Sequence, residues 1–133
     1  LAVDRIVADS TALWARRDLS DRAFVEEFVT TLGAPPGAVP GELLDHWAGM
    51  VGPLRRCRQP WDADVPFAAL AAADFPTLVV SGGHHPAFDA VCEVLADRIG
   101  SDLVVVTGAD HEVQATGEPF NAALLDLWSR TGA

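Results

Sequence analysis

The chain has 133 residues, half of them apolar, with a formal charge of −10 and a pI near 4.5. That is one domain or part of a larger one, with enough apolar content to bury a core. So acidic a surface repels phosphate backbones and anionic membranes, and no apolar run reaches the ~18 residues that a bilayer span needs, so neither nucleic acid nor membrane is expected as a partner.

Residues 1–17 place Val3, Ile6, Val7, Leu13 and Trp14 at helical spacing, with Asp4, Arg5, Asp9, Arg16 and Arg17 around the other side. Ser20 suits the N-cap of a second helix whose stripe is Phe24, Val25, Phe28, Val29 and Leu32, with Gly33 as its stop. The prolines of APPGAVPG (34–41) forbid regular structure there. A third helix is predicted from near Pro40, with Leu43, Leu44, Trp47, Met50 and Val51 on one face and a break or kink at Gly52-Pro53. RQPWDADVP (58–66) reads as a loop, followed by a short alanine-rich helix to about Ala73. The first 75 residues hold no convincing strand, no repeat and no low-complexity tract.

The pattern then changes. Residues 77–81 form a short continuous apolar run, as a parallel strand buried on both faces requires. Gly82-Gly83 permit a sharp turn, and Pro86 fits the first turn of a helix with Phe88, Val91, Cys92, Leu95 and Ile99 inward and Gly100 at its end. Residues 103–106 make a second buried strand, completing a βαβ unit with a right-handed crossover. A last helix from Glu118-Pro119 presents Phe120, Leu124, Leu127 and Trp128. The fold class is α/β. Cys57 and Cys92 lack Cys-x-x-Cys spacing, and the N-terminus lacks a signal-peptide layout, so two reduced thiols in a cytoplasmic protein are expected. The chain begins with Leu, which suggests a fragment or a processed piece.

In such sheets the functional loops lie at the carboxyl ends of the strands, here residues 82–85 and 107–112, which hold three of the four histidines. His111, in TGADH, is placed to act as a general base; a plain surface histidine is the competing reading. Adjacent His84 and His85 point in different directions and lack His-x-x-x-His spacing, so no metal or cofactor is expected, and one of them should cap the turn or pack in a cleft. Ser81 stands in VVSGG, half of the G-x-S-x-G elbow, and makes no convincing nucleophile. Trp47 and Met50 are candidates to line an apolar pocket, against the plainer reading that they are core.

The segment PTLVVSGGHHPAFDAVCEVLADRI, followed by VVVTGADHEVQATGEPFNAALLDLW, resembles the C-terminal part of the α/β-hydrolase-fold enzymes. The likeness covers residues 58–130, and residues 1–57 match the family's helical cap more loosely, by position and helix content. It implies a cap-like segment (1–57) and a C-terminal βαβα part of the hydrolase core (58–133). His111 would be the catalytic histidine, with Gly108-Ala109-Asp110-His111 in place of G-x-G-H. The turn position that usually carries the acid is His85, and Asp89 is a weak substitute. The nucleophile elbow and oxyanion-hole loop belong to the family's N-terminal half and are absent from this sequence. The resemblance therefore implies a part of a hydrolase for an ester, epoxide or similar small apolar substrate, inactive by itself. Its partner would be the missing half. Two alternatives stand beside it: a non-catalytic, self-associating module built on open strand edges, and a weaker metal-binding reading through His84, His85 and His111.

Overall fold

Helix α1 (Ala2–Ala15) turns its predicted stripe inward and adds Ser10 to it; Ser10 and Leu13 are its buried residues. The structure, a computed structural model, describes residues 2–131 and divides into two compact units, Leu1–Asp64 and Val65–Ala133.

In the first unit α1 is followed by α2 (Asp21–Thr31), α3 (Gly41–Ala48), α4 (Val51–Leu54) and a 3₁₀ turn at Pro60–Asp62. Ser20 caps α2 as expected: its Oγ accepts the Ala23 N–H at 3.2 Å, satisfying one of the donors a helix start leaves free. The core is Leu13, Phe24, Val25, Leu44 and Val51, flanked by Trp14, Phe28, Val29 and Trp47. Phe24 is wholly buried, which contributes about 1.5–3 kcal/mol of transfer free energy. Trp14 meets Phe24 and Phe28 edge-on, with ring centres 5.0 and 5.1 Å apart. Arg55 lies over the Phe24 ring at 4.1 Å and donates to the carbonyls of Trp14 (3.2 Å) and Arg16 (2.9 Å), acceptors that the end of α1 leaves open. Arg22 joins α2 to α3 through the Gly41 carbonyl (3.1 Å) and Asp45.

The predicted third helix differs in one respect. It breaks at Gly49-Met50, and Gly52-Pro53 lie inside α4. Met50 consequently leaves the inward face, at 49% exposure; Leu43, early in α3, is 38% exposed, while Leu44 and Val51 stay buried.

The second unit runs α5 (Phe67–Ala71), β1 (Leu78–Ser81), α6 (Pro86–Ile99), β2 (Asp102–Val105), a 3₁₀ turn at Val113–Thr116 and α7 (Glu118–Thr131). The two strands pair in parallel, with Leu78 opposite Asp102 and Ser81 opposite Val105. The Val106 N–H extends the ladder to the Ser81 carbonyl at 2.8 Å. Such pairing needs a crossover, and α6 supplies it: Pro86 opens the helix, and Gly100, at φ +67°, closes it in a left-handed conformation open to glycine at no steric cost. Arg130 near the end of α7 bonds Asp102 at the start of β2 (2.8 Å).

Two details depart from the sequence reading. The helix face against the sheet is closed by the small residues Ala87 and Ala96, both buried, and Val91 is 49% exposed. Small side chains let a helix backbone approach a sheet closely, and this moves the larger Val91 to the margin. Strand β2 is not fully buried: Leu103 and Val104 are half-buried, and Val105 is exposed, because a two-stranded sheet leaves each strand an open edge.

Candidate active site at the carboxyl ends of the strands

Both strands deliver their chains to the same edge of the sheet. Ser81 ends β1 buried, at 3% exposure. Its hydroxyl donates to Asp89 Oδ1, one turn into α6, and accepts the Gly83 N–H at 3.2 Å. The serine therefore closes the strand-to-helix turn. Buried at the end of the strand and engaged on both sides, the hydroxyl is not presented to an incoming substrate.

His85, at the turn position where an acid is expected, caps α6: its Nδ1 accepts the Ala87 N–H at 3.1 Å. That nitrogen cannot carry a proton while it caps. The neighbour of His111 is instead His84, with ring centres 6.1 Å apart. Phe88 packs against all three histidines. Its ring lies 5.3 Å from that of His84, nearly parallel, 5.5 Å from His85 and 4.7 Å from His111. Both ring nitrogens of His84 are closed off from solvent and make no hydrogen bond among the described residues.

The loop after β2 is pinned on either side of its histidine. Ala109 is buried and donates to the Val106 carbonyl at 3.1 Å, and Val113 is buried as the loop enters the 3₁₀ turn. Between them Asp110 Oδ1 accepts the Glu112 N–H at 3.0 Å, an Asx turn that leaves Asp110, His111 and Glu112 exposed. The imidazole of His111 is thus open to solvent on one side and backed by Phe88 on the other. Among the described residues no carboxylate is hydrogen-bonded to it.

Cys92 lies on the same helix as Asp89. Burial pushes its thiol pKa up, the nearby Asp89 charge adds to this, and a hydrogen bond with Ser81 works against both. Its Sγ donates weakly to the Val80 carbonyl at 3.8 Å. A thiol so placed is a poor nucleophile. Cys57 and Cys92 are both free. Among the described residues no three His, Cys, Asp or Glu side chains are grouped to hold a metal ion.

The two pocket candidates lie in the first unit. Trp47 packs against its core and Met50 is half exposed. A shallow depression there is lined by Glu26, Val29, Thr30, Val39 and Leu44, and includes neither. The organising role of Phe88 went unread in the sequence, where it is one apolar residue of a helix stripe. The signal was its spacing, four residues after His84 and at the start of a helix. No known protein family, curated protein or solved structure matches this chain.

Proposed function

We propose that the second unit is the histidine end of an α/β-hydrolase-type active site, in which His111 is the general base for hydrolysis of an ester, epoxide or similar small apolar electrophile. One observation carries this reading: an exposed imidazole, on the loop after a parallel strand, is held against an aromatic ring at the edge where such sheets place their chemistry. In the reaction His111 removes the proton from a serine hydroxyl, or from the water that attacks an ester formed on an aspartate. With a serine nucleophile it then returns the proton to the leaving alkoxide. Ser81 and Cys92 are withheld from the nucleophile's role by burial and by their hydrogen bonds, so the nucleophile belongs to the remainder of a complete enzyme.

The test is turnover of short-chain p-nitrophenyl esters and of an aryl epoxide by the complete enzyme. His111→Ala should lower kcat on the order of 10²- to 10⁴-fold while leaving the melting temperature in place. An unchanged kcat would remove His111 from the chemistry. The 133-residue chain by itself should show no turnover. Turnover abolished by Ser81→Ala in a variant that remains folded would make Ser81 the nucleophile.

A second reading is favoured by the apolar residues that the βαβ unit leaves open, Val91, Val94 and Val105 at 49%, 54% and 52% exposure. On this reading the unit is a non-catalytic module that pairs with a second copy through its sheet. Sedimentation velocity across a concentration series decides it: a single monomeric boundary throughout disposes of self-association.

A further inference from the structure

We infer that Gly82 is the positioning residue of the histidine loop: it is where the β1 turn and the chain bearing His111 touch backbone to backbone. A Cβ at position 82 would lie 2.3 Å from the Asp110 carbonyl oxygen, 3.2 Å from that of Ala109 and 3.1 Å from His84 Nδ1. The two nearest carbonyls are main chain and cannot swing aside as a side-chain end can. The demand at Gly82 is for space, since its φ is not in the left-handed region. Gly83 beside it, at φ +63°, answers to backbone conformation. Gly82 is buried, so the contact is closed to solvent.

The direction of the effect follows from how the loop is held. Ala109 and Val113 are buried on either side, so a push against Asp110 is taken up by residues 110–112, which include His111. Relieving the contact needs a movement of about 1 Å, and a misplacement of that size in a catalytic group is enough to cost on the order of 10²-fold in rate. Gly82 touches neither substrate nor reacting atoms and acts only through the loop. The rate consequence rests on the reading of His111 as the base; the positional one does not.

The experiment separates the two. His111 Hε1 and Hδ2 resonances of the 133-residue chain are displaced by the ring current of Phe88, 4.7 Å away, and so report the position of the imidazole. Gly82→Ala should shift them. Gly100→Ala, a strained change at a glycine with open space around it, should lower the melting temperature and leave them in place. Ala109→Gly, which removes the buried methyl that anchors the loop beside this contact without adding an atom, is the second variant and should move the same pair. In the complete enzyme Gly82→Ala should lower kcat about 10²-fold with KM changed less than about twofold. Resonances unmoved in either folded variant overturn the positioning role, whatever the activity. Resonances that move while kcat stays at the wild-type value uphold it and overturn the general-base reading.

Discussion

The Ser81 hydroxyl donates to the Asp89 carboxylate across the turn between β1 and α6, and the same oxygen accepts the Gly83 N–H. One buried side chain thus fixes three things: the end of the strand, the course of the turn and the first turn of the helix that carries Phe88. Ser81→Ala leaves a part-buried carboxylate and a backbone donor without their partner. It should destabilise the second unit by about 1–3 kcal/mol, read from thermal or urea unfolding of the chain. A loss below ~0.5 kcal/mol would mean that water replaces the hydroxyl at no cost.

The cap at His85 makes a separate prediction. His85→Ala removes the acceptor for the Ala87 N–H and should cost about 0.5–2 kcal/mol. His85→Asn should recover most of that. His85→Asp should do at least as well, since it also sets a negative charge at the positive end of α6. If His85→Ala and His85→Asn prove equally stable to urea, the cap is not what His85 contributes.

The thiol of Cys92 gives a pH signature. Burial raises its pKa above the ordinary 9.0, so the folded state resists ionisation that the unfolded state accepts. Its contribution is fully present below the unfolded value and is lost as pH rises from there through the higher folded value. Stability of the second unit should therefore decline in the alkaline range above about 9, more in the wild type than in Cys92→Ala. Unfolding followed from pH 7 to pH 10.5 tests the difference in slope. Ellman's reagent at pH 8 should modify exposed Cys57 well before Cys92.

In the first unit Phe24 is the side chain with most to lose. It is wholly buried, stacks edge-on with Trp14 and lies beneath the Arg55 guanidinium. Phe24→Ala should cost about 3–5 kcal/mol, a large part of what a unit this small can hold, and should abolish its cooperative melting. A cooperative transition that persists within a few degrees of the wild type would show that the core refills the cavity.

Much of this arrangement is written locally and could be read from the chain. The Ser20 cap, the Phe24–Val25–Phe28–Val29 stripe and the Pro86-to-Gly100 helix each depend on residues within a few positions of one another. The break in the third helix was less legible. Pro53 occupies the first turn of α4, where its missing N–H forfeits no helical bond, and so it opens a helix instead of ending one. The site depends least on local pattern. That His84 faces His111 while His85 turns to its own helix follows from a close approach of two loops at Gly82, residues nearly thirty positions apart meeting through main-chain atoms. Periodicity carries no information about such a contact.

Arg55 reaches back about thirty to forty positions along the chain, to the carbonyls of Trp14 and Arg16 and the ring of Phe24. The first unit is in consequence a closed circuit, and its last lock comes from the chain just beyond α4. A cut before Arg55 would take away the guanidinium and open the corner between α1 and α2; a cut among residues 58–64 would leave the circuit whole. Anyone dividing this chain to study its halves has that window in which to do it, and lysine at position 55, with no planar guanidinium to lie over the Phe24 ring, would not close the lock.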